Sequence, residues 1–527
     1  MKQLSGLDAT FLYMETSTSF GHVSSVSVYE RPDTPGYEPY PAFIRLVEQK
    51  LHLLEPFRRR LVEVPLGLDH PWWINDPDFD LSFHIRHIAI PPPGSAEQLG
   101  EQVARIIGRP MDRTRPLWES YVFEGLEGGD FAILTKVHHA TIDGASGAEL
   151  LTILLDDKPS GSEVTADNTL DPWIPEQPPS TRELMNRTVA SLVRRPEKLV
   201  RLNLRLLREF ADVTRNRGLS TVVKAARASL PTPRRQEQRD ESQALPSRTA
   251  PRTPFNKSIT AHRRFSFRSV PLDDIKEIKN NLGATVNDVV MAVCAGALRK
   301  YLIEHDALPT DPLVAMVPVS IRTGQETEKW TNRVSSIFSQ LPTDLDDPIE
   351  RVHAVHRAMV LSKESFDLMP AEAMVDFTQF SPPALATRAI RMAAAVRIAD
   401  RMNSPVNLVI SNVPGPRQPL FMGGAKMKHF YPVSTIVDGQ GLNITVQSYL
   451  DRLDFGLVSC RELVPDVWHL VDLCAEEVAL LLEASRAAVA AASSTSTEPT
   501  AAAKPTKEPK EPKKPTKPKK KAATTAV

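Results

Sequence analysis

The run Lys136–Gly144 (KVHHATIDG) holds the residues best suited to chemistry. It stands at the end of an apolar segment of strand character, where side chains are exposed to clefts while their backbone stays rigid. An imidazole, with an ordinary pKa of about 6.5, can take a proton from a hydroxyl near neutral pH, so His139 is a candidate general base. Asp143, four residues on, could fold back across the turn to orient the ring or the loop. Gly144 would permit a positive φ and close packing of a following helix.

Two other interpretations of this run remain open. It could be a turn with no chemistry, or His138, His139 and Asp143 could ligate a metal ion, although no Cys or Glu cluster stands nearby in the sequence. Four common motifs are absent from the sequence: G-x-G-x-x-G, the Walker A loop, H-E-x-x-H and G-x-S-x-G. Their absence argues against a dinucleotide oxidoreductase, a P-loop NTPase, a zincin and an α/β-hydrolase.

Apolar spacing predicts the elements that would position the run. A hairpin through Glu127-Gly128-Gly129 would join its strand to the preceding one, and a helix would follow it. The predicted strands are Phe83–Ile90, Leu117–Phe123 and Phe131–Val137, and the predicted helices are Tyr40–Leu54, Ala96–Ile107 and Ala148–Leu155.

The second half of the chain also mixes helices and strands. Without strict β-α-β alternation, this mixture predicts two α/β sandwiches of mixed sheet. The predicted strands are Pro312–Ile321, Val334–Leu341, Val406–Ile410, Leu442–Leu450 and Leu453–Cys460, and the predicted helices are Asn287–Glu304, Ile349–Leu361 and Val467–Leu482.

Changes in composition predict four regions. Residues 1–180 form an N-terminal domain with the histidine run, 181–255 a basic amphipathic helix and flexible linker, and 256–486 a C-terminal domain. Residues 487–527 form a tail rich in Lys, Pro and Ala that is expected to be disordered. From Lys504 to Lys521, nine Lys stand against two Glu.

Composition excludes several classes of protein. The 527 residues carry 64 basic and 64 acidic side chains, so bulk charge indicates no specific nucleic-acid partner. Three cysteines are too few for a disulfide framework, which suits a cytoplasmic setting. The longest apolar run, Val289–Leu298, has ten residues, and a membrane-spanning helix needs about 20. We therefore expect a protein that does not span a membrane but could lie on one.

Several motifs together resemble a known family. The H-H-x-x-x-D-G run is similar to that of CoA-dependent acyltransferases with the chloramphenicol acetyltransferase fold. The order of the further motifs resembles, more narrowly, the bacterial wax ester synthase/acyl-CoA:diacylglycerol acyltransferase family. These motifs are Leu4–Phe11 (LSGLDATF), Pro116–Glu119 (PLWE), Asn287–Val290 (NDVV) and Ser411–Pro416 (SNVPGP). One departure from the superfamily is Asp454–Val458 (DFGLV), where the superfamily motif reads D-F-G-W-G.

The resemblance implies two chloramphenicol acetyltransferase-like domains with a substrate tunnel between them, joined by a long, partly helical linker. It implies that His139 is the base, that His138 supports it, and that Asp143 and Gly144 shape the loop. Neither a metal nor a cofactor is implied, because acyl-CoA is a co-substrate. Residues of the other motifs would bind substrate: Pro116, Leu117, Trp118, Asn287, Asp288, Ser411 and Asn412.

Structural alternatives exist for these binding residues. Pro116-Leu117-Trp118 could start a core strand, and Asn287 could be a helix N-cap with Asp288 favouring the helix terminus. Ser411–Pro416 could be a rigid turn after a strand.

The implied activity is transfer of a long-chain acyl group from CoA to diacylglycerol or to a long-chain alcohol. The alternatives are another lipid ester, with a polyketide or glycolipid acceptor, and a non-catalytic lipid-surface protein. The expected location is cytoplasmic, at the inner face of the cell membrane or at lipid droplets. A basic stripe in the linker (Lys198, Arg201, Arg205 and Arg208) beside an apolar one predicts a helix that contacts such a surface.

Overall fold

The computed structural model describes residues 1–142, 150–160, 174–190, 250–320, 334–366 and 383–495. Two six-stranded sheets, each with parallel and antiparallel pairs, carry helices on their faces. The predicted mixed α/β architecture is therefore confirmed. The linker helix predicted around residues 198–208 lies outside the described residues, as does the tail beyond residue 495. The tail predicted from residue 487 begins too early, because residues 487–495 continue the last helix, Val467–Thr495.

The first sheet carries the histidine run at the end of an inner strand. Its strands are β2 (His22–Tyr29), β5 (Ile85–Ala89), β6 (Trp118–Glu124), β7 (Phe131–His138), β12 (Phe421–Met422) and β13 (Ala425–Val433). Their order is β12-β13-β2-β7-β6-β5, with β5 and β6 parallel and the other pairs antiparallel. A small sheet stands beside it, formed by β1 (Lys2–Gln3), β3 (Arg59–Val62) and β4 (Trp72–Asn75) in the order β1-β4-β3.

The second sheet belongs wholly to the C-terminal half. Its strands are β8 (Arg263–Pro271), β9 (Leu313–Ser320), β10 (Val334–Leu341), β11 (Leu408–Val413), β14 (Leu442–Tyr449) and β15 (Arg452–Cys460). The order is β10-β9-β11-β14-β15-β8. Strand β11 pairs parallel with both of its neighbours, whereas β14-β15-β8 and β10-β9 are antiparallel.

Ten helices have defined bounds in the described residues. In the N-terminal half they are α1 (Gly6–Tyr13), α2 (Pro39–Lys50), α3 (Glu55–Arg58), α4 (Leu81–His84) and α5 (Ala96–Ile107). In the C-terminal half they are α6 (Leu272–Leu282), α7 (Val286–Glu304), α8 (Pro348–Phe366), α9 (Pro383–Ala395) and α10 (Val467–Thr495). Residues 150–154 and 181–190 are helical as well.

Local sequence explains where the well-predicted helices begin. Helix α5 starts at Ser95, whose hydroxyl accepts the Gln98 N–H while the Gln98 side chain accepts the Ser95 N–H. Helix α7 has the same capping box, with Thr285 as N-cap and Asp288 at the third position. The alternative in which Asn287 caps this helix is therefore wrong, because the N-cap is Thr285, two residues earlier, whose hydroxyl accepts the Asp288 N–H at 3.2 Å.

Helix α7 is apolar on most of its circumference because it lies between other helices of its layer. It contacts α6, α8 and α10, and its buried residues are the centre of the largest hydrophobic core. No single helix in the described ranges is long and apolar enough to cross a membrane. Only α6 and α7 taken together reach that length, and they bend by 101° at their junction.

Strand exchange joins the two halves of the chain. Strands β12 and β13 come from the C-terminal half, yet β13 pairs with β2 and completes the sheet that bears the histidines. The buried Asp454 carboxylate of β15 accepts the Phe430 N–H of β13 at 2.7 Å. A Cβ on Gly456 would lie 1.8 Å from the Pro432 carbonyl oxygen. The D-F-G fragment therefore holds one sheet against the other, and this contact needs the glycine.

Candidate active site

His138 lies at the end of β7 with both ring nitrogens engaged. Its Nδ1 accepts the Ala140 N–H at 3.0 Å, and its Nε2 lies 3.2 Å from Glu15 Oε1. Because Nδ1 accepts, Nε2 carries the proton and donates it to the carboxylate. With only 1% of the residue exposed, His138 is held in one tautomer and is not open to a substrate.

Glu15 is the group that orients His138, and it lies in the loop between α1 and β2. Its Oε1 also accepts the Gly21 N–H at 2.8 Å, and its Oε2 accepts from the Arg113 guanidinium at 2.5 Å. Arg113 donates further to the Leu12 carbonyl and to Glu63, both at 2.9 Å. The carboxylate is thus fixed by three donors from separate parts of the N-terminal half.

The charge of Glu15 is maintained by these donors. Burial raises the pKa of the Glu15 carboxyl, but His138, Gly21 and Arg113 together outweigh that effect and hold the pKa well below its ordinary value. The carboxylate is consequently ionised throughout the range in which a histidine base works.

Gly21 allows the close approach of the ring of His138. A Cβ at this position would lie 2.7 Å from His138 Nε2 and 2.7 Å from the Phe11 carbonyl oxygen. Any side chain here would push the ring away from Glu15 or displace helix α1. A glycine is needed here because a side chain would collide with His138 and Phe11, and not because the backbone has a positive φ.

His139 has a different environment from its neighbour. Its ring is partly exposed and stacks on Phe11 of α1, with centroids 4.0 Å apart and planes at 9°. Its backbone N–H donates to the Gly21 carbonyl at 2.8 Å. Phe11 belongs to the opening LSGLDATF motif, so that motif supplies the surface against which the predicted base is held.

The C-terminal half fixes the loop that carries Glu15. Arg263, at the start of β8, donates to the Thr18 carbonyl, and its guanidinium lies over the Phe20 ring. Thr435 donates its hydroxyl to the Phe20 carbonyl at 2.7 Å. The position of His138 therefore depends on contact between the two halves.

Lys136, the first residue of the histidine run, has a structural environment. Its ammonium group is buried, donates to the carbonyls of Arg109 and Ile106 at 2.8 and 3.3 Å, and lies 3.7 Å from Glu119. It thereby satisfies carbonyls at the C-terminal end of α5. Burial lowers the pKa of Lys136 to about 8.

His22 lies opposite His138 in the β2–β7 pair and is also buried. Its Nε2 lies 3.0 Å from the Ile107 carbonyl oxygen. Burial, with the charge of Lys136, holds the pKa of His22 well below its ordinary value. His22 is therefore a neutral neighbour that adds no positive charge beside His138.

Asp143 and Gly144 lie outside the described residues, so their roles stay predictions. The chain beyond them is anchored at the end of the helical residues 150–154. The Lys50 ammonium donates to the Leu155 carbonyl at 3.1 Å and to the Asp156 carboxylate at 2.7 Å, and both side chains are buried.

Pro116-Leu117-Trp118 lies in the protein core. The Trp118 ring is fully buried, stacks on Phe57 with centroids 4.2 Å apart, and donates its indole N–H to the Phe57 carbonyl. The Leu117 carbonyl accepts the His138 N–H at 3.0 Å. These contacts support the core-strand alternative, and direct substrate contact by this motif remains a prediction.

The remaining predicted binding residues lie in the C-terminal half. Asp288 is buried in the capping box of α7 and accepts from His356 of α8, with Oδ2 and Nδ1 2.8 Å apart. Ser411 and Asn412 are partly exposed on β11, opposite Thr445 and Val446 of β14. The structure does not bring these residues into contact with His139, and their binding role stays a prediction.

The metal interpretation of the histidine run disagrees with the environment of His138. One of its nitrogens accepts a backbone N–H and the other donates to Glu15, so neither has a lone pair directed at a metal ion. Within the described ranges, no group of three or more His, Cys, Asp or Glu is arranged to bind a metal.

Sequence reasoning missed Glu15, Phe11, Gly21 and Arg113 as parts of the site. A signal for Phe11 was present, because this residue belongs to the family motif Leu4–Phe11, although the sequence alone assigns that motif no function. Glu15 and Arg113 carried no local signal, since Glu15 is 123 positions from His138 in sequence.

Comparisons with known proteins identify the family to which the chain belongs. Residues 4–290 match the family model described as wax ester synthase/diacylglycerol acyltransferase catalytic domain, and residues 330–481 match the WS/DGAT C-terminal domain. A Mycobacterium tuberculosis protein named "probable diacylglycerol O-acyltransferase" is 36% identical over 468 residues, which is 88% of this chain and 95% of that protein.

Solved structures give the same fold. The wax ester synthase/diacylglycerol acyltransferase from Marinobacter aquaeolei VT8 is 30% identical, with a TM-score of 0.63, over 92% of this chain and 100% of that one. The first condensation domain of the calcium-dependent antibiotic synthetase is 16% identical, with a TM-score of 0.50, over 92% of this chain and 96% of that one. The second likeness concerns the fold alone.

Proposed function

Since the chain belongs to the wax ester synthase/diacylglycerol acyltransferase family, it is an O-acyltransferase, and we propose how its residues perform the reaction. The acyl group comes from a long-chain acyl-CoA. The acceptor is the hydroxyl of diacylglycerol, which yields triacylglycerol, or of a long-chain alcohol, which yields a wax ester.

The environments of the two histidines carry the assignment of the base. His138 is buried with both nitrogens hydrogen-bonded, whereas His139 is partly exposed and presses one ring face on Phe11. Of the two imidazoles, only that of His139 is partly exposed, which supports it as the group that meets a substrate hydroxyl. His139 is accordingly the general base, and His138 shapes the turn that presents it.

The reaction needs one proton carrier and no covalent enzyme intermediate. The His139 imidazole takes the proton of the acceptor hydroxyl as its oxygen attacks the thioester carbonyl carbon. The tetrahedral intermediate collapses, the carbon–sulfur bond breaks, and the CoA thiolate receives the proton from the imidazolium. No metal or further cofactor takes part in this scheme.

His138 acts on this chemistry through position. Its Nδ1 holds the Ala140 N–H and its Nε2–H is held by the ionised Glu15, so the backbone on both sides of His139 is fixed. Asp143, within the same motif, would secure the far side of the loop.

A purified His139→Ala variant tests the assignment directly. General-base catalysis contributes about 10² to 10⁴-fold, so release of CoA thiol with diacylglycerol as acceptor should fall at least about a hundredfold. Binding of acyl-CoA should persist, because the side chain acts on the acceptor proton. Near-normal turnover by a folded variant would place the base elsewhere.

A second experiment defines the acceptor. Diacylglycerol, a long-chain alcohol and a glycolipid are offered in parallel with one acyl-CoA, and products are identified by mass. Ester formation with either of the first two supports the proposal, whereas ester formed only on the glycolipid would contradict it. Wild-type turnover that is unchanged by a chelator is the expected control.

A further inference from the structure

An apolar patch lies beside helix α1, where a turn of the N-terminal half meets helix α9 of the C-terminal half. The patch consists of six exposed large apolar side chains from two segments. These are Leu66 and Leu68 of the turn between β3 and β4, and Met392, Val396, Ile398 and Met402 of helix α9 and the residues after it. Helix α9 contacts both the turn Pro65–Gly67 and helix α1, so the two segments are neighbours.

The exposure of this patch is high for side chains of its type. Leu66 is 81% exposed, Met392 69% and Met402 61%. Among the described side chains of residues 387–403, none is buried. A helix of this length is marginal in water without burial of an apolar face, so the segment is suited to burial against something outside the chain.

Leu66 adds a second and independent observation. Its φ is 60°, the left-handed region that side-chain-bearing residues avoid at a cost of about 1–2 kcal/mol. The turn thus holds a leucine in an unfavourable backbone conformation while its side chain stays largely in solvent. Such strain is found where surrounding structure holds a residue in place for function.

The charge next to the patch indicates what it contacts. Residues 383–402 hold four arginines and one acid, Asp400, a balance of +3. Asp400 is occupied, since it accepts the Ser258 N–H at 2.8 Å and pairs with Arg397. Arg388, Arg391 and Arg401 are exposed among the apolar residues. Interspersed arginines and apolar side chains match an interface of acyl chains below anionic headgroups.

We propose that the apolar patch, together with Arg388, Arg391 and Arg401, is the face by which this protein rests on an anionic phospholipid surface. This inference rests on the proposed function, because diacylglycerol and long-chain alcohols dissolve in such a surface. Helix α1, which α9 contacts, also carries the Phe11 ring beneath His139. The docking face therefore lies next to a helix that belongs to the active site.

Flotation with vesicles tests the surface. Wild type, Leu66→Asn and the double variant Arg388→Glu/Arg391→Glu are mixed with phosphatidylcholine vesicles, with or without phosphatidylglycerol. Asparagine tolerates the left-handed region, so Leu66→Asn should melt no lower than wild type and still bind about tenfold less, since an inserted leucine is lost. The charge variant should lose about tenfold or more of its binding to the anionic vesicles only.

The matched control is Ile303→Asn, which removes another exposed apolar side chain, 50% exposed at the end of α7. It should float like wild type. Wild type that fails to bind, or patch variants that bind like wild type, would overturn the proposal. So would a wild-type dimer that Leu66→Asn dissociates without any vesicle binding, because a second copy would then cover the patch.

Turnover on detergent-dispersed substrate separates this inference from the function on which it rests. Leu66→Asn should keep wild-type turnover there, because Leu66 takes no part in the chemistry. If wild type shows no acyl transfer, yet binds anionic vesicles and the patch variants do not, the proposed function is wrong and the proposed docking surface is supported. If acyl transfer is normal and the variants bind vesicles like wild type, the docking surface is wrong and the proposed function is unaffected.

Discussion

Replacement of Glu15 can distinguish two roles of this residue. One is to orient His138, which affects kcat, and the other is to stabilise the loop, which affects the free energy of unfolding. Two variants are compared. Glu15→Gln keeps one carbonyl oxygen and the shape, whereas Glu15→Leu has a similar volume and no acceptor. In the wild type, Oε1 serves Gly21 and His138, and Oε2 serves Arg113.

The expected magnitudes follow from these three hydrogen bonds. Glutamine best directs its oxygen to Gly21 and His138, so it loses only the charge-assisted bond to Arg113, a cost of about 1.5–3 kcal/mol in the free energy of unfolding. Leucine removes the acceptor of two buried donors, Gly21 N–H and His138 Nε2–H, and of the partly exposed Arg113, which should cost more than the glutamine change. Arg113 keeps its contacts with Leu12 and Glu63 in both variants.

The effect on catalysis should differ in kind. Glu15→Gln keeps the His138 tautomer, so kcat should fall little, whereas Glu15→Leu frees the ring and the turn before His139. A displacement of about 1 Å can cost about a hundredfold in rate. We expect kcat for acyl transfer to fall by about that factor in Glu15→Leu, with the KM for acyl-CoA nearly unchanged.

Steady-state kinetics on the two variants, with circular dichroism melts, checks this reasoning. If the variants only folded less well, the amount of active enzyme would fall. The kcat per active site would then be the same in Glu15→Gln and Glu15→Leu. Equal kcat in a folded Glu15→Leu and wild type would refute the positioning role. So would equal losses in both variants.

The low pKa of Glu15 adds a pH signature. A group whose folded pKa lies below its unfolded value stabilises the fold above the unfolded value and loses that contribution as the pH falls towards the folded value. The stability gap between wild type and Glu15→Gln should be constant above the ordinary value of 4.5 and should shrink below it. A gap that is constant through acid pH would mean that Glu15 is not held ionised.

Two other changes probe close contacts. Gly21→Ala puts a Cβ 2.7 Å from His138 Nε2. We expect the free energy of unfolding to fall by about 1–3 kcal/mol and kcat to fall as well, whereas unchanged kinetics would show that the ring has room to move. Gly456→Ala puts a Cβ 1.8 Å from the Pro432 carbonyl oxygen, so the sheets must separate there, and a melting temperature equal to that of wild type would contradict the clamp.

The sequence was a good guide where a signal is local. Helix α5 was predicted with its observed bounds because one apolar stripe follows a Ser-x-x-Gln cap. The strands that flank the glycine-rich hairpin before His138 were found within one residue, since the turn residues Glu127-Gly128-Gly129 separate two short runs rich in apolar residues. The strand predicted over Phe83–Ile90 was partly wrong, because Asp80 caps a helical turn at Leu81–His84 before the strand starts.

What escaped prediction depends on contacts between distant segments. Strand β2 is rich in serine and half-buried, so its pattern is weak, and it is recognisable only by its partners β7 and β13. Glu15 is an ordinary acidic residue until the fold brings Gly21, His138 and Arg113 around it. The second histidine of the motif is the predicted base by resemblance, and its role stays a prediction, although its ring is the more exposed of the two.

The exchange of β13 into the first sheet has a consequence for synthesis of the chain. When the ribosome has released the first 290 residues, β2 is still an uncapped edge, because its neighbour lies more than 100 positions ahead. An open edge of this kind attracts other chains, and the catalytic sheet remains in that condition until residue 433 has emerged. A gene split between the two family domains would therefore yield two fragments that each lack an essential neighbour, and the pair should be soluble only when made together.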